Sequence, residues 1–303
     1  MNALSYKIIF SKRFGRLIAV GEHAKGQGKK AGTGTRTTRN TPETNTLSNQ
    51  HYLGLLPSLC LSITLSFLTI DTSSAGTTAP ANTALPTGYT VNTGQVAVSA
   101  NAASMTIKQT SDKASINWQS FNIGKDASVN VLQNNSNAVL LNRILGNDPS
   151  QIFGKLNANG QVILINPNGI VFGKGSSVTA SAFTASTFGL SDSDFMSGFY
   201  KYKRQGSTSA ITLEEGSTIA TAGSGYVLLM GASVNNNGHI STQQGHVVMA
   251  AGEEVSLPSS FVDSVNIPLS GKVRLELSPS TINTAIENGV EGTIQTHGGQ
   301  VLM

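Results

Sequence analysis

Cysteine is almost missing from this chain of 303 residues: Cys60 is the only one, so no intramolecular disulfide can form and the fold must stand on packing and hydrogen bonds. Aromatic residues make up only 6%, with the single tryptophan Trp118, and charged residues only 12%, about half of the roughly 25% usual in soluble domains. Apolar residues still reach 39%, too many for a disordered chain. Glycine (32 residues), serine, threonine and asparagine fill the gap. That mixture suits short strands joined by tight turns and excludes a charge-laced helical bundle. The length allows one or two domains with a substantial core.

Positive charge is missing from most of the chain as well. The formal net charge is +4, yet residues 1–75 hold nine of the 20 basic residues and three of the 16 acids. The remainder is therefore slightly acidic, with 11 basic against 13 acidic residues. Without a basic patch to neutralise phosphates, the body is expected to bind no nucleic acid. The cluster Lys201, Lys203 and Arg204 reads as a solvated loop.

The residues that catalysis or metal binding would need are equally thin. Beyond residue 75 there are three arginines, Arg143, Arg204 and Arg274, and the acids are scattered. The pairs Glu214-Glu215 and Glu253-Glu254 are sequence neighbours that would face opposite sides of a strand, so neither forms an acid/base dyad and both read as solvated turns. His239, His246 and His297 have no accompanying cysteine or carboxylate pair at ligand spacing. No Gly-x-Ser-x-Gly nucleophile signature occurs. The expectation is no catalytic residue, no cofactor and no metal.

What is present begins with a leader. The uncharged run "LGLLPSLCLSITLSFLTI" at 53–70 is followed by Asp71 and small residues. With a basic region before it, this is the pattern of a secretory signal, and Ser73 and Ala75 place cleavage between Ala75 and Gly76. A retained membrane anchor is the rival; Pro57, the interspersed serines and threonines and the lack of basic residues after the run argue against a stable span. Cys60 would leave with the leader.

The body, 76–303, carries an internal repeat. "STIATAGSGYVLLMGASV" begins at Ser217, "GHISTQQGHVVMAAGEEV" at Gly238 and "GTIQTHGGQVLM" at Gly292. Ile219 and Ile240 are 21 apart, Gly225 and Gly245 are 20 apart, and Val234 and Val255 are 21 apart. A unit of about 20 residues cannot bury its own apolar face, so successive units must stack. An antiparallel sandwich need not repeat residue classes at a fixed offset; a right-handed parallel β-helix must.

The stretch "LNANGQVILINPNGIVFGKG" at 156–175 holds two Asn-x-Asn-Gly turns around an apolar run. Asn166, before proline, should be extended; Pro167 presets the first corner of a turn, and Asn168 and Gly169 tolerate the left-handed region. Alone this window reads as a hairpin, but the repeat makes the turns corners of successive segments. Residues 86–125, with Trp118, read as an N-terminal cap, and 258–289 as an insertion outside the stack. Val301, Leu302 and Met303 fall where Val247, Val248 and Met249 fall one coil earlier. The chain thus stops in mid-coil, as a fragment or truncated gene product would.

Two resemblances rest on these residues. The opening "MNALSYKIIFSKRFGRLIAVGEHAKGQGKK" resembles the extended signal-peptide region of very large exported proteins of Gram-negative bacteria, which implies passage through the general secretory machinery. From about Leu85 onward, and most densely between Ile116 and Gly173, the chain resembles the secretion domain of two-partner secretion exoproteins, the filamentous haemagglutinin family. That resemblance implies a β-helical domain on a large secreted adhesin, haemagglutinin or contact-dependent toxin, recognised in the periplasm by an outer-membrane pore partner of the Omp85 type. The family motif Asn-Pro-Asn-Gly-Ile stands here as Asn166, Pro167, Asn168, Gly169 and Ile170. The family's Asn-Pro-Asn-Leu motif is absent: "NNSNAVLLN" at 134–142 has no proline, which leaves the part of Asn134, Asn135 and Asn137 open. Asn142, Arg143 and Asn159 are further candidates for partner contact, with pairing to Asp148 as the alternative for Arg143. A single-chain autotransporter passenger and a polysaccharide-acting β-helix enzyme are the competing readings. The first would need a membrane barrel.

Overall fold

The computed structural model describes residues 6–11, 16–21, 78–257, 276–278, 285–297 and 299–303. The apolar leader run, Cys60 and the Ala75–Gly76 junction lie outside the described residues, as does much of the 258–289 interval. Two units are distinguished, Met1–Ile70 and Asp71–Met303. In the first, Tyr6–Ser11 and Arg16–Gly21 pair as antiparallel strands.

Among the described residues the second unit is a parallel β-helix with three sheets along its stack, two of eight strands and one of five that begins at Ser150. One coil shows the plan. Lys155–Ala158 lies in the first sheet, Gln161–Ile165 in the second and Ile170–Phe172 in the third. The two Asn-x-Asn-Gly turns are therefore successive corners of one coil. Each strand is in register with the coils on either side: Leu156 with Val129 and Val178, Val162 with Leu140 and Phe183, Ile170 with Ser150 and Ile211. The sequence repeat is the same register, since Ile219 pairs with Ile240 and Val227 with Val247.

First-sheet strands alternate, with Val178, Ile219 and Ile240 in the core and polar neighbours outward. Second-sheet strands are buried on both faces, which explains their unbroken apolar runs VILI, VLLM and VVMA. Val162, Leu164, Phe183, Val227 and Leu229 fill the interior. On the other side Ile163, Ile165, Leu228, Met230 and Val248 meet a second core, covered by Phe188, Phe195, Tyr200, Tyr202 and Val255. Each fully buried side chain of this size contributes roughly 1.5–3 kcal/mol, so the lateral cover matters to stability as the axial core does.

The cover comes from two excursions. After Ala182–Ser186 the chain leaves the stack, forms the helix Asp192–Met196 and the strand Tyr200–Lys203, and returns at Ala210–Leu213. The helix starts where Ser191 accepts a hydrogen bond from the Asp194 N–H at 3.1 Å and Asp192 and Asp194 complement its dipole; it ends before Gly198, which has φ 77°. The second excursion, Glu254–Leu257, runs antiparallel to Tyr200–Lys203, and Glu276–Ser278 adds a third strand.

Several sequence expectations change here. Lys201, Lys203 and Arg204 do not form a solvated loop: the two exposed lysines sit on a strand and Arg204 is 1% exposed, with Arg204 Nη1 3.3 Å from Glu253 Oε1 and Lys201 Nζ 2.9 Å from Glu254 Oε1. Val255 is not the repeat equivalent of Val234. Val234 pairs with Ile286, while Val255 pairs with Tyr202, because a valine at the expected offset finds burial laterally as well as axially. The second departure from the stack thus precedes 258, and Ala285–Asn288 is back within it. At the N-terminal end of the described stretch 78–257, Thr90–Thr93 and Val96–Ala100 are the antiparallel covering strands among the described residues; Ser104–Gln109 and Lys113–Trp118 already form the first coil.

The 20-residue glycine spacing has a different cause from the turn glycines. A Cβ on Gly245 would lie 1.6 Å from the Gly225 carbonyl oxygen, and one on Gly299 1.6 Å from that of Gly245. Close approach of stacked backbones, not positive φ, demands glycine there.

Candidate secretion-motif corner

The corner Asn166–Ile170 divides into a buried half and an exposed half. Asn166 is fully buried: its Nδ2 donates to the Asp148 carbonyl at 2.9 Å and to Ser150 Oγ at 3.0 Å, and its Oδ1 accepts from the Asn168 N–H at 2.9 Å. One carboxamide thereby closes its own turn and ties it to the coil below. Gly169 takes the positive φ, 109°, and its N–H donates to the Asn166 carbonyl at 3.1 Å. Asn168, expected in the left-handed region, is not there. Gln205 is the only non-glycine residue with positive φ among the described residues. Ile170 is buried in the core, whereas Pro167 and Asn168 are exposed; Asn168 Nδ2 donates to the Gly146 carbonyl at 2.8 Å.

The other candidates separate. Asn142 is 1% exposed and accepts from Trp118 Nε1 at 3.0 Å, so it faces the interior of the folded domain. Arg143 does not pair with Asp148. It grips Asp192 through both nitrogens, at 3.3 Å and 3.2 Å, and donates to the Leu190 carbonyl at 2.6 Å and Asn117 Oδ1 at 3.1 Å. Burial alone would raise the Asp192 carboxyl, but hydrogen bonding and charge from Arg143, with help from Ser115 and Asn92, hold it below the usual carboxylate range. Arg143 thus fastens the first excursion to the stack. Asn159 is exposed, yet it pairs with Gln133 as a strand residue would, Nδ2 to carbonyl at 2.8 Å and Oδ1 from N–H at 2.7 Å. Ala75 and Gly76 lie outside the described residues.

Sequence reasoning missed a buried glutamine stack at the corner between the first and second sheets. Gln133 Nε2 donates to Gln109 Oε1 at 3.0 Å and to the Gln161 carbonyl at 3.1 Å, and Tyr226 Oη donates to Gln161 Oε1 at 3.1 Å. The glutamines' unequal spacings of 24 and 28 residues and polar neighbours such as Thr110 and Asn134 gave no periodic signal. Also missed was a polar groove of about 470 Å³ between the motif turn and the return loop of the first excursion, where Ser207 Oγ donates to the Pro167 carbonyl at 2.7 Å.

His239 and His246 lie between the last two coils: His239 Nδ1 meets Thr293 Oγ1, and His246 Nδ1 accepts from the Gln300 N–H at 3.1 Å. Burial lowers the pKa of His246. Among the described residues no three His, Cys, Asp or Glu side chains gather as a metal site, and no helix is long and apolar enough to cross a membrane.

A family model described as TPS secretion domain matches residues 82–298, and one described as extended signal peptide of the type V secretion system matches residues 1–44. A heme/hemopexin-binding protein of Haemophilus influenzae strain Rd is 32% identical over 239 residues, covering 76% of this chain and 24% of the relative. A second Haemophilus influenzae protein of the same name is 44% identical over 104 residues, 34% of this chain and 11% of its own length. The chain therefore spans about a quarter or less of these relatives. The crystal structure of the HMW1 secretion domain from Haemophilus influenzae superposes with a TM-score of 0.58 at 29% identity, covering 70% of this chain and 52% of that one.

Proposed function

Because the chain belongs to the TPS secretion-domain family, we propose that the exposed half of its motif corner, Pro167 and Asn168, is what periplasmic receptor domains of the outer-membrane transporter read during export. The chain is the secretion domain of a two-partner secretion exoprotein with an extended signal peptide, which carries it out of a Gram-negative cell with the aid of a cognate transporter. The two-partner match displaces the single-chain autotransporter reading. Within the motif, Asn166, Gly169 and Ile170 build the corner, and Pro167 and Asn168 present it. Asn142 and Arg143 act on export through the fold, by holding Trp118 and Asp192.

The domain is an address and has no catalytic role. The activity of the whole exoprotein, adhesion or toxicity, belongs to sequence beyond the address. The observation that carries this reading is the family match over 82–298, which contains the complete motif corner. The test is expression of the leader-bearing chain in a Gram-negative host with and without its transporter. Leader removal between Ala75 and Gly76 is expected in both, and extracellular protein only with the transporter. Release without the transporter, or retention despite a processed leader and a working transporter, overturns the reading.

A further inference from the structure

The histidines beyond residue 75, His239, His246 and His297, all lie at one join in the stack, where His239–Thr242 and Val247–Ala250 meet Thr293–Thr296 and Val301–Leu302. Their bonds differ in what a proton would do to them. His239 Nδ1 meets the Thr293 hydroxyl, which can turn from donor to acceptor. His297 Nε2 lies 3.2 Å from Gln295 Nε2, and that carboxamide can present its oxygen instead. His246 Nδ1 has no such latitude: its partner, 3.1 Å away, is the main-chain N–H of Gln300, which can only donate. This bond exists only while Nδ1 is unprotonated.

The bond sits where the upper coil is most thinly attached. The second-sheet ladder there is only two pairs long, Val247 with Val301 and Val248 with Leu302, and the Val247 N–H donates to the Gln300 carbonyl at 2.9 Å. His246 itself is 7% exposed. From Ser217 to Gly252, the coil of His246 and the one beneath, the only titratable side chains are Tyr226, His239 and His246. Tyr226, at the same position one coil down, turns its hydroxyl to Gln161. On the coil above, Glu287 belongs to the third-sheet strand, Glu291 and His297 to the turns on either side of the first-sheet strand, and the terminal carboxylate to Met303. In the lateral cover Lys201 pairs with Glu254 and Arg204 with Glu253, while Lys203 and Glu276 complete its described charges. Burial lowers the pKa of His246 below its ordinary 6.5.

We propose that His246 is a pH-operated latch between the two coils: the neutral imidazole fastens Gln300, and with it the strand Val301–Leu302, and the imidazolium releases them. On protonation the Nδ1–H would face the Gln300 N–H, donor against donor, and a charge would occupy a desolvated position. Release uncovers the edge of Val247–Ala250, with Val247 and Met249 of the axial core and Val248 of the lateral core behind it. Such an edge can pair with another strand. In the open form His246 titrates near 6.5 and in the closed form below it. Closure is therefore at full strength above about pH 6.5 and weakens as pH falls from there to the folded pKa. The latch does not depend on recognition by a transporter.

The test is hydrogen exchange of the purified chain, read by mass spectrometry as protection factors corrected for the intrinsic exchange rate at each pH. Between about pH 7.5 and pH 5.5, protection around Val301–Leu302 should fall about threefold to tenfold, because one unit below 6.5 allows a single histidine roughly a tenfold shift. Protection of Val227–Met230, two coils down, should stay within about twofold. His246→Asn sets Oδ1 where Nδ1 stood, keeps an acceptor for the Gln300 N–H and cannot be protonated. Its protection at pH 7.5 should match the parent's within about twofold and should not fall at pH 5.5. His239→Asn and His297→Asn should keep the parent's pH dependence. A flat profile in the parent, or a fall that persists in His246→Asn, overturns the latch. If His246→Asn loosens the coil at both pH values, NMR titration of the parent's His246 imidazole decides: a pKa below 6.5 with pH-dependent protection upholds the latch, and a pKa at or above 6.5 overturns it.

Discussion

Asn166→Asp changes a single polar group at a fully buried position and should produce a stability loss that depends on pH. In the native corner the Nδ2 group donates to the Asp148 carbonyl at 2.9 Å and to Ser150 Oγ at 3.0 Å. Replacing it by an ionised oxygen sets two acceptors face to face in a site with no exposed surface. Burial and the opposed carbonyl raise the pKa of the new carboxyl; a rise of about 2–3 units over the unfolded value of about 3.9 corresponds to about 3–4 kcal/mol at pH 7. The folded state then binds the proton more tightly than the unfolded state. The electrostatic part of the loss is therefore absent below about pH 4, grows as pH rises above the unfolded value and is complete above the folded pKa. In the protonated form the O–H still serves one acceptor, so the residual cost at low pH is about 1 kcal/mol. Urea unfolding at pH 4 and pH 7, with the parent subtracted, measures the difference. Asn168→Asp is the control, since its carboxylate would be solvated and should cost under about 1 kcal/mol at both pH values. Equal penalties for Asn166→Asp at the two pH values, or a control that costs as much, would refute the assignment of Asn166 to the fold and Asn168 to the surface.

Gly245→Ala would bring a methyl to 1.6 Å from a main-chain oxygen that no rotamer can move, and should cost more than about 3 kcal/mol or abolish folding. Gly175→Ala, at φ 83° with nothing within 4 Å, should cost only about 1 kcal/mol, and comparable urea midpoints for the two would undo the stacking argument. Asp192→Asn should lower stability by about 1–2 kcal/mol at neutral pH by weakening the Arg143 grip. Because the folded pKa of Asp192 lies below its usual 3.8, its contribution is complete above that value and lost as pH falls through the folded pKa. The melting temperatures of parent and variant should therefore converge in strong acid, and a constant gap from pH 6 to pH 2 would contradict the ion pair's role.

The stack was legible because its physics is periodic. Ile219 over Ile240 and Gly225 beneath Gly245 must recur at the coil length, since each coil rests on the last through the same few atoms. The lateral cover was not legible, because Tyr200–Lys203 meets a strand that belongs to a later coil and no local rule names that partner. Asn142 looked like a surface residue because polar side chains in strands usually are. The better signal was the lone Trp118, one coil earlier on the same sheet, whose indole N–H needs an acceptor once buried. At the motif, the turn was legible from residue types. Which asparagine is buried was not, because it depends on the neighbouring coil's carbonyls.

The antiparallel pairing of the two excursions sets two tempos for folding. Axial contacts such as Ile219 with Ile240 join residues 21 apart, whereas Tyr200 must wait for Leu257, 57 positions later. Contacts of longer sequence separation close more slowly. A chain folding from its N-terminal end can therefore lay down coils one after another while the outer side of its second sheet, Ile163 and Ile165 among it, still lacks part of its cover. The first fully closed body is then a block reaching to residue 257, so folding would proceed as one long cooperative step followed by short ones, instead of uniform coil-sized additions.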